Sequence, residues 1–165
     1  MQSKLLFTAA AAAIALLGAG CGSTTPSTAA VSPSTAASPA PSVPTGPATI
    51  MVATDAKLGK ILVDGNGITV YLFVADTGKA STCYTSCAQF WPPVLTAGAP
   101  QAGAGAQASL LGTTSRTDGT TEVTYAGHPL YYFLKDKKAG DTTGQGVNGF
   151  GALWWVLSPS GAAMH

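Results

Sequence analysis

The feature that most constrains the fold of this chain is a six-residue pattern, Tyr-x-Phe-x-x-Asp, which occurs twice about sixty residues apart. In each copy, at 69–75 and 130–134, aromatic and branched residues predict a strand that is apolar on both faces and covered on both sides. We expect each aspartate to end its strand and to accept hydrogen bonds from backbone N–H groups just beyond it, at two equivalent but separate corners. The residues of this repeated motif, to which we assign a structural role, are Tyr71, Phe73, Asp76, Tyr131, Phe133 and Asp136.

The segments around each motif extend the repeat. Residues 60–63 predict a strand, and the glycines of 64–67 predict a tight turn that leads into the first motif. The second motif follows extra residues with turn signals at Asp118-Gly119 and Ala126-Gly127, which indicate an additional short strand. We therefore predict an all-β, mainly antiparallel fold in which two tandem hairpin-type repeats form one compact domain. A tryptophan segment follows each motif, and the predicted aromatic core consists of Trp91, Trp154 and Trp155.

Two cysteines, Cys83 and Cys87, lie four residues apart after the first motif. We expect a short helix at this segment, capped by Ser81 or Thr82, because one helical turn brings both sulfur atoms to the same face. Outside the cytoplasm such a pair is expected to form a disulfide. The alternative is an extracytoplasmic metal-binding or thiol-redox module, in which the two thiols act together with His128.

The first residues of the chain indicate export. Lys4 precedes an apolar run of thirteen residues, Leu5 to Leu17, which is shorter than the roughly 20 residues that span a bilayer. The sequence that follows, LGAGC, resembles a bacterial lipoprotein signal, in which a lipid is attached to the cysteine before cleavage. The resemblance implies that Cys21 becomes the first mature residue and carries acyl chains such as palmitate, which anchor the protein to the cell membrane.

Composition then divides the chain into five segments. After the signal, residues 22–48 contain only Gly, Ser, Thr, Pro, Ala and Val, which is typical of a disordered tether. A second low-complexity stretch separates the two motifs and is expected to be an exposed loop. The predicted segments are a signal peptide at 1–20, the lipidated cysteine and tether at 21–48, a first repeat at 49–97, the loop at 98–109 and a second repeat at 110–165.

Charge excludes some classes of partner. Only 9% of the residues are charged and the formal net charge is +1, so neither nucleic acid nor an acidic surface is an expected partner. The expected partners are the membrane, through the lipid on Cys21, and an envelope component that the sequence does not identify.

The motif residues resemble a known family. From about Ala53 to Pro159 the chain resembles the bacterial secreted repeat, or predicted lipoprotein, family with a Tyr-x-(aromatic)-x-x-Asp motif, usually found as tandem copies. The resemblance rests on the motif YLFVAD, on the two cysteines with Trp91-Pro92-Pro93, and on RTDGTTEVTYAGHPLYYFLKD and GDTTGQGVNG. It implies an extracytoplasmic location and no particular activity.

Enzyme signatures are sparse. The chain has no Gly-x-Ser-x-Gly elbow, and no glycine loop that leads into a helix and holds phosphate. Paired carboxylates at Asp76 and Asp136 would permit acid–base hydrolysis if the fold brought them together. We expect no cofactor, no metal and no catalytic residue, and we interpret the chain as a lipid-anchored envelope protein with a structural or interaction role.

Overall fold

The computed structural model describes residues 44–165. The predicted signal peptide, the lipidation site Cys21 and all of the predicted tether up to residue 43 lie outside the described residues. Within 44–165, no helix has the length and apolarity needed to cross a membrane.

Short strands joined by glycine-containing turns make up most of this domain, because β-branched and aromatic runs are repeatedly interrupted by turn residues. One short helix and one 3₁₀ turn, Ala108–Leu110, complete it. The elements are β1 (Thr49–Asp55), β2 (Gly59–Asp64), β3 (Tyr71–Phe73), α1 (Ser86–Phe90), β4 (Gln101–Ala102), β5 (Leu111–Ser115), β6 (Thr121–Tyr125), β7 (His128–Pro129), β8 (Asn148–Gly149) and β9 (Ala152–Val156).

The strands form three small sheets, in the orders β2-β1-β4, β3-β9-β8 and β5-β6-β7. Neighbouring strands are antiparallel except for β4, which runs parallel to β1 and lies in the segment predicted as a loop. In the second sheet, Phe73 of the first motif lies opposite Trp154 of the second repeat. The predicted all-β, mainly antiparallel fold is confirmed, and the two repeats share a sheet.

The two motif strands differ in regularity. The first is the strand β3, all three residues of which are buried. It is shorter than predicted because the Asp76 N–H donates to the Phe73 carbonyl and turns the chain. The second motif forms only isolated bridges from Tyr131 to Tyr71 and to Pro93, so the regular strand predicted at 130–134 is wrong.

The predicted helix begins later than expected. Helix α1 starts at Ser86, so it contains Cys87 but not Cys83. Its first residue follows Thr85, and no side chain caps it. The predicted cap is wrong because the Thr82 side chain donates instead to Asp76, before the helix begins.

Two clusters of buried residues form the core of the described domain. One contains both cysteines, the tyrosine and phenylalanine of each motif, and the two tryptophans Trp91 and Trp154. The other is mainly aliphatic and contains Ile50 and Leu130. Both clusters draw on both repeats, so each repeat completes the core of the other.

Candidate functional site

The two copies of the motif are joined to each other by their side chains. The Tyr71 hydroxyl donates to Asp136 Oδ2 at 2.5 Å, and the Tyr131 hydroxyl donates to Asp76 Oδ2 at 2.6 Å. The backbones of the two tyrosines also exchange hydrogen bonds, with N···O distances of 2.8 and 2.9 Å. Each tyrosine therefore binds the aspartate of the other motif, and the repeats are braced across an approximate two-fold arrangement.

The second oxygen of each aspartate binds a threonine further along its own repeat. Asp76 Oδ1 accepts from the backbone N–H of Thr82 at 2.8 Å and from its hydroxyl at 2.6 Å. Asp136 Oδ1 accepts in the same way from Thr143, at 3.0 and 2.5 Å. Both carboxylates are buried and have a hydrogen-bond donor on each oxygen. A carboxylate engaged in this way positions the chain and has little capacity left to act as a general base.

The two tyrosines are held as neutral donors. Burial raises the pKa of Tyr71, and its hydrogen bond to Asp136 raises it further. Burial also raises the pKa of Tyr131, with Glu122 and Asp76 adding to the effect. Both hydroxyl groups therefore remain protonated, and able to donate to the aspartates, across physiological pH.

Four aromatic rings form a continuous stack between the repeats, in the order Phe73, Trp154, Trp91, Phe133. Successive ring centroids are 4.1, 4.0 and 4.2 Å apart, and the two indole planes differ by only 3°. Each successive pair contains one ring from the first repeat and one from the second. The stack is therefore an interface between repeats, which neither repeat makes alone.

Gly144 permits the close approach of the second repeat to this stack. A Cβ at this position would lie 2.8 Å from Trp91 Cη2 and 2.9 Å from Tyr71 Cε1. The Gly144 N–H also donates to the Tyr71 hydroxyl oxygen at 3.2 Å. A side chain here would displace the aromatic rings.

A buried ion pair between Arg116 and Glu122 lies close to Asp76 and was not predicted from the sequence. Arg116 Nη1 donates to Glu122 Oε2 at 2.8 Å and to Ser81 Oγ at 2.7 Å. The Ser81 hydroxyl is also 2.7 Å from the Tyr131 hydroxyl, which connects the ion pair to Asp76. A sequence signal was present, since Arg116 and Glu122 flank the Asp118-Gly119 turn, and a hairpin brings such residues together.

Glu122 is unusual among the described acidic residues. It is completely buried, and its Oε1 atom has no hydrogen-bond partner in the described part of the chain. Burial raises its pKa to about 7, with Arg116 opposing the shift and Asp76 adding to it. Such a group is protonated or ionised according to pH near neutrality.

The predicted disulfide between Cys83 and Cys87 is confirmed, with the two Cα atoms 5.2 Å apart. Both residues are buried, and Cys83 has no exposed surface. Because both sulfur atoms are bonded to each other, the alternative metal-binding or thiol-redox site would require reduction first. Within residues 44–165, no group of three or more His, Cys, Asp or Glu side chains has a geometry suited to a metal.

His128, the third member of that alternative site, lines a pocket of about 300 Å³. Trp155, His165 and Asp76 also line this pocket, and neither cysteine does. The predicted placement of Trp155 in the aromatic core is wrong, because it is only half-buried and packs against the aliphatic cluster. The reason is the alternation along β9, which points Trp154 into the stack and Trp155 to the opposite face.

Comparison of the chain with known protein families agrees with the two-fold arrangement of the motifs. No curated protein and no solved structure matches the chain. The sequence profile of a family described as a secreted repeat of unknown function matches twice, at residues 52–95 and 112–158. The two matches cover more than half of the chain, and each contains one copy of the motif. The chain therefore belongs to this family of secreted repeats, and it is an extracytoplasmic protein.

Proposed function

We propose that this protein is anchored to the bacterial cell membrane through lipid on Cys21, and that its domain has a non-enzymatic structural or interaction role in the envelope. The observation that carries the proposal is the use of the motif side chains. Each motif tyrosine and aspartate is buried and bonded to another residue of the domain. The repeated tyrosine and aspartate side chains therefore serve to join the two repeats. Contacts with other envelope components would be made by the exposed surface of the domain.

The anchoring part of the proposal rests on the first residues of the chain. A short basic end, an apolar run of thirteen residues and the sequence LGAGC precede a stretch of small and polar residues. This order is typical of an exported protein that keeps a lipidated cysteine. Two or more acyl chains on one residue hold a protein at a bilayer stably, whereas one chain gives only marginal binding.

The second candidate function is a metal-binding or thiol-redox module that uses Cys83, Cys87 and His128. It would require that the disulfide be reduced in the functional state. Intact mass of the mature protein before and after alkylation separates the two candidates. We expect no alkylation until a reductant is added; alkylation of the native protein would favour the second candidate.

Metabolic labelling tests the anchor. Cells that produce the wild-type chain in the presence of labelled palmitate should give a labelled protein in the membrane fraction. Cys21→Ser should remain unlabelled and unprocessed. The double variant Cys83→Ser, Cys87→Ser is the matched control, because it removes two cysteines and should keep the label. Labelling of the Cys21→Ser variant would contradict the proposed anchor.

A further inference from the structure

Three exposed apolar side chains form a patch next to the second motif, of which Leu134 is a part. Phe90, Leu134 and Phe150 are each 45–46% exposed. The rings of Phe90 and Phe150 lie 5.9 Å apart, and the Leu134 N–H donates to the Phe90 carbonyl at 2.9 Å. We call these three residues the aromatic patch.

The backbone at Phe150 has a conformation that is unfavourable for a bulky side chain. Phe150 lies between Gly149 and Gly151 at the tip of the β8–β9 hairpin, with a φ of 58°. This left-handed conformation favours Gly or Asn and is unfavourable for a bulky residue. Backbone strain of this kind tends to occur at functional sites. A large aromatic ring is therefore held out toward solvent in a place where a smaller residue would fit better.

Most basic side chains of the domain are exposed, whereas most acidic side chains are buried. Residues 44–165 contain seven basic and seven acidic side chains, so the described domain is neutral by count. All six lysines are exposed, whereas four of the seven acidic residues are buried, Asp55 and Asp141 are partly exposed, and Asp118, which is exposed, pairs with Arg116. Exposed ammonium groups therefore outnumber exposed carboxylates although the domain is neutral by count. The exposed lysines are Lys57, Lys60, Lys79, Lys135, Lys137 and Lys138.

Three of these six lysines follow the aromatic patch directly in the chain. Lys135, Lys137 and Lys138 come immediately after Leu134. Of the acids among them, Asp136 is buried in the bracing, and Asp141 accepts from the backbone N–H groups of Lys137 and Lys138. Within the described residues, none of the three ammonium groups forms an ion pair.

We propose that the aromatic patch and the lysines at 135–138 dock the domain onto the surface of a bilayer that contains anionic phospholipid. Exposed aromatic and aliphatic groups enter the boundary between head groups and acyl chains, and adjacent lysines attract anionic head groups. This inference rests on the proposed lipid anchor, which brings the domain and the bilayer together. Only residues 22–43 separate Cys21 from the described domain, which limits its distance from the membrane to about 80 Å in any conformation. Because the tether keeps the domain this close to the bilayer, even a weak contact is sufficient to hold the domain at the membrane surface.

The first motif provides a matched comparison. Val74 and Leu153 are the counterparts of Leu134 and Phe90, since the Val74 N–H donates to the Leu153 carbonyl at 3.0 Å and a tryptophan follows Leu153 as one follows Phe90. Both are exposed. Among residues 44–165, the exposed large apolar side chains other than the aromatic patch are Val74 and Leu153, neither of which is aromatic. One lysine, Lys79, follows Val74 within the next six residues. The proposed contact therefore belongs to one side of an otherwise two-fold domain.

Hydrogen–deuterium exchange on the mature chain, purified from the producing cells, tests the inference. The protein is reconstituted in vesicles of phosphatidylcholine alone or of phosphatidylcholine with phosphatidylglycerol. Peptides that cover 86–91, 134–138 and 148–152 should exchange more slowly in the anionic vesicles, and added salt should reverse the protection. Intact mass establishes separately whether Cys21 carries lipid. If it does not, the same chain is mixed with both kinds of vesicle and its co-sedimentation is measured.

Two variants and two controls locate the contact. Phe150→Asn suits the left-handed backbone and should weaken the preference for anionic vesicles by about fivefold or more. The triple variant Lys135→Glu, Lys137→Glu, Lys138→Glu should weaken it by at least about tenfold. The controls are Val74→Asn and the triple reversal of Lys57, Lys60 and Lys79, which changes net charge equally and should have a much smaller effect.

Several results would overturn the inference. Equal exchange in the two vesicle types would do so, and so would equal losses from the two triple reversals, which would assign the effect to net charge alone. Protection without lipid that disappears on dilution would assign the patch to a second copy of the chain. Equal protection by polyphosphate in the absence of vesicles would assign it to a soluble polyanion.

Discussion

The corner at Asp76 and the corner at Asp136 perform the same bracing with different surroundings. At both, an aspartate accepts from a threonine of its own repeat and from the tyrosine of the other repeat. Behind Asp76, the Tyr131 hydroxyl meets Ser81, which leads to the buried Arg116–Glu122 pair. At Asp136, the Tyr71 hydroxyl has one further hydrogen-bond partner within residues 44–165, the Gly144 N–H. Both corners use the motif aspartate and tyrosine to join the repeats. The groups that surround the tyrosine hydroxyl differ, and they show where the two repeats have diverged.

The largest effect is expected from the aromatic stack, which belongs equally to both repeats. Trp91→Ala and Trp154→Ala should each lower the free energy of unfolding by about 3–5 kcal/mol, because each leaves a large cavity between the repeats. Urea unfolding measures both. The two losses should be similar, since the two rings face each other at 4.0 Å. A loss confined to one of them would break the proposed equivalence of the repeats.

The Arg116–Glu122 ion pair is present at the Asp76 corner and has no equivalent at the Asp136 corner within residues 44–165. Removing one partner of this pair should therefore destabilise the domain through the Asp76 corner. Arg116→Met should lower the free energy of unfolding by about 3 kcal/mol at about pH 8, because Glu122 loses its buried partner and must either remain charged without it or take up a proton from solvent. The double variant Arg116→Met, Glu122→Leu is the control and should recover most of the loss. Urea unfolding that shows the double variant to be no more stable than the single one would contradict this account.

Glu122 should also make the stability of the domain depend on pH. Its pKa is raised to about 7 in the folded protein, so the folded state binds a proton more tightly than the unfolded state. The free energy of unfolding should therefore fall by at most about 3 kcal/mol as pH rises from about 4.5 to about 7. Glu122→Gln should remove most of this slope in urea unfolding measured across that range. An unchanged slope would assign the dependence to other groups.

The two aspartates should respond differently to the same substitution. Asp136→Asn should cost about 2 kcal/mol, because the one amide oxygen stays with Thr143 and the amide NH2 that then faces the Tyr71 hydroxyl cannot accept from it. The neighbouring Gly144 N–H is also a donor, so the Tyr71 proton loses its acceptor. Asp76→Asn should cost about 1 kcal/mol, since Tyr131 can donate to Ser81 instead. Urea unfolding of both variants measures the difference. Equal costs would show that the Ser81 side provides no alternative, and loss of a surface function without loss of stability would indicate that the aspartates form a site.

The smallest effect on stability is expected at Phe150. Phe150→Asn should leave the free energy of unfolding unchanged or raise it by less than about 1 kcal/mol, because Asn adopts a positive φ more readily. Thermal unfolding measures this, with Phe73→Ala as the contrasting buried aromatic. A clear loss of stability would show that the exposed ring contributes to the fold.

Much of the fold was predictable because the signals are local. Alternating apolar residues predicted strands around Tyr71, and turn glycines predicted the hairpin in which the Val70 N–H now donates to the Leu62 carbonyl. The cysteine spacing predicted a disulfide. The start of α1 was not predicted, because Thr82 donates to Asp76 and does not cap the helix. The absence of a regular strand at 130–134 was not predicted, because Tyr131 pairs singly with Tyr71 and with Pro93, which are distant in the chain.

The sequence by itself determined that this protein has two β repeats, two cysteines at a spacing that permits a disulfide, and a repeated set of tyrosine, phenylalanine and aspartate side chains. These properties follow from composition, spacing and periodicity along the chain. Only the tertiary structure decided which aspartate each tyrosine binds, since Tyr71 reaches Asp136 and not Asp76 of its own motif. The same is true of the four-ring stack and of the Arg116–Glu122 pair. The physical reason is that these contacts form when the two repeats dock against each other, and an identical motif in both repeats gives no information about which copy supplies the partner.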